Sequence, residues 1–484
     1  MASCKLVIKD EVNVKFEGLD LSMRKHLSNK FKYEIPYARY LPAYKLGRWD
    51  GTVSFFGLGG TTYVSMLKEV IEELENKGVY IEVEDHRNKI DLSFNEIAED
   101  FLSDIKWPKG HTHEGQAIQL RDYQVEVINN FLNNPQSLQE VATGAGKTII
   151  TATLSKICEK YGDSIIIVPN KSLVTQTEED YKNVGLDVGV YYGDRKELGH
   201  KHTIVTWQSL NILDKKSKNH EAAITLAEFI QDVRCIIVDE VHQAKADVLK
   251  RLLTQNFAHV PIRWGLTGTI PKEQFEFQGI KAGLGEVINQ ISASDLQAKG
   301  VLADCHVNII QTEDVKEYKT YQEELKYLTT DEKRMEWVAK LVSKVTENGN
   351  TLVLVDRLSA GNLLQSNIED SVFISGETKG DTRKEHYDEV KTSNSKVIIA
   401  TYGVAAVGIN IPRIFNLILI EPGKSFVRVI QSIGRGIRKA EDKDHVQIWD
   451  ITSRCKFAKR HLTQRKKFYK EANYPFTIER IAID

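Results

Sequence analysis

The chain has 484 residues, of which 41% are hydrophobic and 27% charged, a composition typical of a globular protein with room for about three domains. The formal net charge of −2 excludes a globally basic surface, so nucleic-acid binding would have to depend on local basic patches. No apolar run approaches the roughly 20 residues of a membrane span, and the five cysteines are scattered without a C-x-x-C pair. We therefore expect a protein of a reducing, cytoplasmic compartment, without structural zinc and without a membrane partner.

Residues 1–102 are predicted to form a small α+β domain. Lys5–Phe16 alternates apolar and polar residues, which is typical of a half-buried strand, and Met66–Leu74 has the apolar spacing of a helix. This part of the chain contains no nucleotide-binding signature.

The stretch from Arg24 to Trp49 combines positive charge with aromatic residues. Seven basic residues stand against the single acid Glu34, a net charge of +6, and six aromatic residues are interleaved with them. Cations that meet phosphates and flat rings that stack on bases are the groups that bind nucleic acid. The alternative, an aromatic core beneath a solvated basic face, stays open. Under the first interpretation, the predicted contacts are Lys30, Lys32, Arg39 and Arg48.

Residues 103–118 are polar, contain proline and glycine, and are predicted to be a linker. Short apolar strands then alternate with helical stretches over residues 119–305, and the alternation begins again over residues 306–450. This pattern predicts an α/β fold with two doubly wound parallel sheets, whose ligands bind at the carboxyl ends of the strands.

The sequence Val141–Thr148 predicts a phosphate-binding loop in the first of these units. Gly144 and Gly146 allow the backbone to curl with its N–H groups directed at phosphate oxygens. Lys147 would reach the β- and γ-phosphates, and the hydroxyl of Thr148 would hold Mg²⁺. The pattern departs from its usual form at Val141, where a glycine is common.

A second apolar run, Cys235–Val238, ends in the carboxylates of Asp239 and Glu240. A buried parallel strand that ends in this way places Asp239 near the metal ion and Glu240 near the attacking water. Together with the phosphate loop, this predicts a nucleotide hydrolase. The second unit has no such loop, so nucleotide is expected in a cleft between the two units.

Two regions late in the chain are basic. Gln431–Arg438 places Arg435 and Arg438 three residues apart, so both would lie on one helix face and could stabilise charge on a γ-phosphate. Residues 451–484 are predicted to be a basic C-terminal extension, with eight basic residues and no acid between Ile451 and Lys470. Whether this extension lines a DNA path or is a solvated helix on the second unit stays open.

The order of these motifs resembles the superfamily-two helicases, the phage recombination helicases among them. Motif II, Asp239–His242, has the DExH form, and Gly265–Thr269 is similar to motif III. The resemblance implies two tandem RecA-like motor domains. It also assigns roles by motif. The implied nucleotide contacts are Arg121, Gln124, Thr143, Gly144, Ala145, Gly146, Lys147, Thr148, Asp239, His242, Gly408 and Asn410. The implied catalytic residues are Glu240, Lys147, Gln431, Arg435 and Arg438, and the implied DNA contacts are Pro169, Asn170, Gln176, Thr206, Gln208, Arg357 and Thr401.

The resemblance implies a DNA-stimulated ATPase that uses Mg²⁺, moves 3′→5′ along one strand and remodels branched DNA by fork regression, branch migration and dissociation of D-loops or R-loops. Its expected partners are single-stranded and branched DNA, RNA–DNA hybrids, and single-strand-binding or recombination proteins. A monomer in the cytoplasm of a phage-infected bacterial cell is expected. The alternatives are an RNA helicase, a duplex translocase that does not unwind, and an ATP-regulated strand-annealing protein.

Overall fold

A computed structural model describes residues 2–109, 111, 113–244, 246–408, 411, 413–423, 440 and 442–483, with the backbone alone for residues 172, 380 and 406–408. The chain divides into two compact units, residues 1–141 with 146–290 and residues 142–145 with 291–484. Within the described ranges, none of the helices combines the length and the apolar character that crossing a bilayer requires.

The N-terminal module is a small sheet covered by helices. Its elements are β1 (Ala2–Ile8), β2 (Asn13–Glu17), α1 (Leu21–Lys30), β3 (Lys32–Glu34), α2 (Pro42–Lys45), β4 (Thr52–Ser54), β5 (Thr61–Tyr63), α3 (Leu67–Asn76) and β6 (Val79–Asp85). The strand order is β5-β2-β1-β6, and β3 and β4 form a separate antiparallel ribbon. The predicted alternation holds, since Leu6, Val14 and Phe16 are buried against Leu27 and Val70.

The N-terminal module packs directly on the first large sheet unit. Ala282 belongs to the hydrophobic core of the module although it lies in a helix of the large unit. The backbone N–H of Glu11 donates to the carbonyl of Ala258 at 3.0 Å, and Asn13 Nδ2 donates to the carbonyl of Thr254 at 2.8 Å. Residues 1–102 therefore cluster with residues 146–290 in one compact unit, although the sequence suggests a detached domain.

The stretch 103–118, expected as a linker, closes into a hydrogen-bonded turn. Trp107 N–H donates to the carbonyl of Gln116 and its own carbonyl accepts from Gly115 N–H, both at 3.0 Å. The Trp107 ring stacks on the His111 ring with centroids 4.0 Å apart. These contacts give residues 103–118 a defined, hydrogen-bonded conformation.

The first large unit is the predicted α/β sheet. Its elements are α4 (Asp122–Asn133), β7 (Gln136–Val141), α5 (Lys147–Cys158), β8 (Asp163–Val168), α6 (Lys171–Asn183), β9 (Val188–Tyr192), β10 (Arg195–Lys196), β11 (His202–Thr206), α7 (Trp207–Lys218), α8 (Leu226–Ile230), β12 (Val233–Val238), α9 (Ala246–Arg251), β13 (Ile262–Thr267), α10 (Gln274–Leu284) and β14 (Glu286–Ile291). The strand order is β10-β9-β11-β8-β12-β13-β7-β14. The central strands run parallel and are buried on both faces, which explains their continuous apolar runs.

The second large unit repeats the architecture. Its elements are α11 (Ala293–Ala298), β15 (Asp304–Thr312), α12 (Tyr321–Thr330), α13 (Glu332–Thr346), β16 (Thr351–Val355), α14 (Leu358–Asn367), β17 (Ser371–Ile374), α15 (Gly380–Thr392), β18 (Val397–Thr401), α16 (Tyr402–Gly408), β19 (Asn416–Ile420), β20 (His445–Ser453), α17 (Lys456–Glu471) and β21 (Phe476–Ile481). The strand order is β17-β18-β16-β19-β20-β15-β21. The predicted fold class, two parallel-sheet α/β units after a small α+β module, is confirmed.

The segment 451–484 differs from the expected extension, because it is built into this second sheet. Ile451–Ser453 complete β20, and β21 pairs in parallel with β15. On α17, Arg465 is fully buried and bonds to the carboxylate of Asp450 at 2.8 Å. The basic residues of the segment therefore include a core ion pair, and α17 packs one face on the sheet while Lys459 and Lys467 face solvent.

Candidate functional site

The predicted phosphate loop lies between β7 and α5. Gly144 and Gly146 both have positive φ, 93° and 76°, which a residue with a side chain rarely adopts. A Cβ atom at Gly146 would lie 2.7 Å from Nε2 of Gln124, so this side chain of α4 lies against the loop. Gln124 is held there because its Oε1 accepts from the backbone N–H of Arg121 at 2.9 Å. Such a backbone cradle at a helix N-terminus fits a phosphate group.

Lys147, the first residue of α5, is buried and paired. Its ammonium lies 2.8 Å from Oε1 of Glu240 and donates to the carbonyl of Val141 at 3.3 Å. Both side chains of the pair are only 8% exposed. The structure thus brings the predicted phosphate-binding lysine and the predicted catalytic carboxylate into direct contact.

The two carboxylates after β12 have different environments. Asp239 is buried, and its Oδ1 accepts from the backbone N–H of Glu240 at 2.8 Å. Burial and the neighbouring charge of Glu240 raise the pKa of Asp239 well above its ordinary value, which Lys147 counters only in part. Glu240 has the left-handed conformation, φ 49° and ψ 50°, a strained backbone that places its carboxylate toward Lys147.

Motif II is tied to the end of β13. Nδ1 of His242 lies 2.5 Å from the hydroxyl of Thr267, and the backbone N–H of Gly268 donates to Oε2 of Glu240 at 3.3 Å. The hydroxyl of Thr267 also donates to the carbonyl of Thr269. Any movement of the segment Gly265–Thr269 is therefore transmitted to both Glu240 and His242.

The oxygen donors expected to hold a divalent cation lie in the same unit. The hydroxyl of Thr148 and the carboxylate of Asp239 are hard ligands that suit such an ion. Because burial and the charge of Glu240 raise the pKa of Asp239, a bound cation would stabilise its charged form.

One neighbour of this site was not predicted from the sequence. Asp180 on α6 accepts a hydrogen bond from Thr148, and burial raises the pKa of Asp180 to about 6. Nothing local in the sequence of α6 signals this contact.

The predicted DNA contacts of the first unit gather at two neighbouring strand ends. Pro169 and Asn170 follow β8, and Thr206 ends β11, the parallel neighbour of β8. Gln208 Nε2 donates to the carbonyl of Pro169 at 3.2 Å, which joins the two segments. Asn170 and Thr206 cap α6 and α7, so two helix N-termini lie together, as phosphate binding requires. Gln176 is half-buried in α6, one and a half turns further along.

The predicted contacts of the second unit also follow neighbouring strands. Arg357 caps α14 just after β16, and Thr401 ends β18, which pairs in parallel with β16. Arg357 is half-buried, and its guanidinium donates to Oε1 of Gln322 at 2.7 Å. Gly408 is the last residue of α16. The remaining residues predicted here lie outside the described part of the chain, namely Asn410, Gln431, Arg435 and Arg438.

The four cations predicted to bind nucleic acid in the N-terminal module fall into two pairs. Lys30 forms an ion pair with Glu73, and Lys32 lies 2.5 Å from Asp50. Arg39 lies over the ring of Tyr40, 4.8 Å from its centroid, and Arg48 is exposed. The aromatic residues divide as well, because Phe31 is buried and Tyr33 packs on the core, whereas Tyr40 and Tyr44 are exposed. Part of this stretch therefore belongs to an aromatic core, and nucleic-acid binding by its exposed residues stays a prediction.

Comparison with known proteins agrees with this arrangement. The family model "Type III restriction enzyme, res subunit" matches residues 117–272, and "Helicase conserved C-terminal domain" matches residues 333–440. The chain is 24% identical over 472 residues to the ATP-dependent DNA helicase uvsW of Enterobacteria phage T4, covering 93% of this chain and 90% of that protein. It is 25% identical over 372 residues to the DNA 3′-5′ helicase XPB of Kineococcus radiotolerans, covering 74% and 64%.

Solved structures show the same fold. A fragment of a putative HsdR subunit of a type I restriction enzyme from Vibrio vulnificus superimposes with a TM-score of 0.56 at 18% identity, covering 97% of this chain and 85% of that one.

Proposed function

This chain belongs to the superfamily-two helicases and is an ATP-dependent DNA helicase or translocase, and we propose that it is a DNA-stimulated, Mg²⁺-using motor of the DExH type that remodels branched DNA. The similar proteins named as DNA helicases support DNA as the track. The observation that carries the proposal is that two groups of predicted residues, those for nucleotide and those for DNA, follow the carboxyl ends of strands of the first large sheet. The paired Lys147 and Glu240 follow β7 and β12, and the helix N-termini capped by Asn170 and Thr206 follow β8 and β11.

At the nucleotide site, we propose that Lys147 exchanges partners during each cycle. Before nucleotide binds, its ammonium is neutralised by Glu240. When Lys147 turns to the phosphates, Glu240 loses its cation and becomes able to accept a proton from the attacking water. Thr148 and Asp239 would hold Mg²⁺, which supplies charge neutralisation at the phosphates. Through its hydrogen bond to Thr267, His242 would couple changes at the nucleotide site to the segment Gly265–Thr269.

At the DNA face, the chain would bind phosphates more than bases. Helix N-termini present N–H groups and a partial positive charge, both independent of base identity. Asn170 and Thr206 on the first unit and Arg357 and Thr401 on the second are the proposed contacts. A nucleotide-dependent change in these contacts would move the chain along one strand. The proposed direction is 3′→5′, after the relatives whose names state that polarity.

The proposed preference for branched DNA, and the roles in fork regression, branch migration and loop dissociation, depend on the N-terminal module. A motor needs one strand, whereas a basic module fixed to it could hold a duplex arm. The test is the ATPase rate of the full chain with single-stranded, duplex, forked and RNA polymers, together with strand displacement on forks. Stimulation by DNA with displacement of forked strands supports the proposal. A preference for RNA, or stimulation by duplex without displacement, would replace it by an RNA helicase or a duplex translocase.

Arg435 and Arg438 are proposed to contact the γ-phosphate in the transition state. Replacing either with alanine should lower kcat by about 10²–10³-fold with little change in nucleotide affinity. Lysine should restore little, because a point charge does not reproduce the planar guanidinium. Unchanged kcat in both alanine variants would mean that these arginines have only structural roles.

A further inference from the structure

The loop between β3 and β4 presents exposed aromatic and aliphatic side chains, and we call Tyr40, Tyr44 and Leu46 its tip. We call residues 35–49 the ribbon arm, because they extend the β3–β4 ribbon. Tyr40 is 63% exposed, Tyr44 43% and Leu46 64%. Large apolar side chains that cluster on a surface commonly mark a binding site.

The ribbon arm also carries positive charge. It contains Arg39, Lys45 and Arg48 and no acidic residue. Among the described residues, none of these three cations forms an ion pair, in contrast to Lys30 and Lys32 at the base of the arm. The tip is therefore complementary to a polyanion that also offers flat apolar surface.

The ribbon arm is held by internal hydrogen bonds. Its base is closed by the N–H of Ile35, which donates to the carbonyl of Gly51 at 2.9 Å, and by Trp49 Nε1, which donates to the carbonyl of Thr52 at 2.7 Å. Gly51 has φ 81°, and a Cβ atom there would lie 3.0 Å from the Tyr44 ring. The Tyr44 ring thus lies against Gly51 at the base of the arm and is still 43% exposed.

The arm is fixed to the first large unit as well. The Tyr37 ring meets the Phe275 ring of α10 edge-on at 5.9 Å, and both Tyr37 and His242 line a cavity of about 240 Å³. Behind the arm, the ammonium of Lys250 on α9 lies 4.2 Å from the centroid of the Phe55 ring. The arm and the residues behind it thus contact both α9 and α10.

From these observations we propose that the tip of the ribbon arm binds the end of a DNA duplex where the two strands part. Tyr40 and Tyr44 stack on the last base pair, Leu46 adds apolar contact, and the three cations hold the flanking phosphates. Aromatic stacking on bases is independent of sequence, and apolar side chains wedged between bases can unstack them. The inference rests on the proposed function, because it assumes that this chain engages branched DNA.

The test uses the full chain with Tyr40, Tyr44 and Leu46 all replaced by alanine. A forked duplex carries 2-aminopurine at its last base pair, and its fluorescence falls when an aromatic ring stacks on that base. Wild-type protein should lower the fluorescence without nucleotide, and the triple variant should not. The preference for forks over single strands should fall by roughly tenfold or more, since stacking is worth about 1–3 kcal/mol per base. Strand displacement should slow in proportion, whereas the ATPase rate with single-stranded DNA should be unchanged.

The matched control is Tyr80→Ala with Val83→Ala, two exposed apolar residues of β6 in the same module. This control should behave as wild type in every assay, and thermal unfolding should show that both variants fold. A triple variant that binds and separates forks like wild type would overturn the inference and assign the tip to another partner, such as an acidic protein. Unchanged fluorescence with wild type would overturn it too. Failure of the proposed function looks different, because wild type itself would then lack DNA-stimulated ATPase activity.

Discussion

The pair between Lys147 and Glu240 makes a specific prediction about nucleotide affinity. At 2.8 Å and an effective dielectric constant of about 20, the attraction between the two charges is about 6 kcal/mol before desolvation is subtracted. Lys147 gives up this partner when it turns to the phosphates, so the pair opposes nucleotide binding. Glu240→Gln removes the charge but keeps a side chain of the same shape.

We expect Glu240→Gln to bind ATP more tightly than wild type while losing turnover. If about 1.4 kcal/mol of the pair energy survives desolvation, the Kd should fall about tenfold. Loss of the group that orients and deprotonates water should lower kcat by about 10²–10³-fold. Binding would be measured with a fluorescent nucleotide analogue, and turnover with a coupled ATPase assay under saturating single-stranded DNA.

Two control variants make the result interpretable. Lys147→Ala should lose tight binding, because the phosphate contact itself disappears. Glu140→Gln changes a half-buried carboxylate of β7 that accepts a hydrogen bond from the Ile270 backbone, and it should leave the Kd unchanged. A Glu240→Gln protein that hydrolyses ATP at the wild-type rate would refute the catalytic role. One with the wild-type Kd would refute the proposed exchange of partners.

Two further predictions concern the N-terminal module. Replacing Arg39 and Arg48 with glutamine should flatten the slope of log K against log salt on duplex DNA, by up to about 0.9 for each phosphate that the protein no longer neutralises. Replacing Lys30 and Lys32, which are already paired with acids, should change the slope less. Equal slopes for the two variants would contradict this division of the cations. Lys281→Met should weaken docking of the module by about 2 kcal/mol, because the variant lacks the buried ammonium that bridges two carboxylates. The measurement is amide hydrogen exchange in α3, which should become faster. Unchanged exchange would assign the docking to apolar packing alone.

The nucleotide site could be predicted from the sequence because its residues follow strands with strong local signals. The loop ending in Lys147 and the run ending in Glu240 lie at the carboxyl ends of parallel strands, and such ends meet at one edge of a sheet. The contact of Thr148 with Asp180 could not be predicted in this way. Asp180 lies in the last turn of α6, and only the packing of α6 against α5 brings it to the loop.

The charge pattern of residues 24–49 overstates the unpaired positive charge for a related reason. Counting charges within a window omits acids that the fold supplies from elsewhere, and Glu73 reaches Lys30 from a helix more than forty residues away. The same holds for the segment after Ile451, where Arg465 is neutralised by Asp450 of the preceding strand. A net charge of a stretch therefore predicts an interface only after its ion pairs are known.

The residues that dock the N-terminal module show why its interface with the motor could not be predicted from the sequence. Three residues of the large unit complete the module: Ala282 in its core, Lys281 bridging to Glu69, and Lys250 against the ring of Phe55. All three residues lie on α9 and α10, the helices that flank motifs II and III. Each looks ordinary in its own helix, since an alanine and two lysines carry no pattern that predicts an interface. Because α9 follows His242 and α10 follows Thr269, a change at the nucleotide site has a short covalent path to the module and its ribbon arm. A rearrangement of motifs II and III during hydrolysis would therefore act on the same helices that hold the arm.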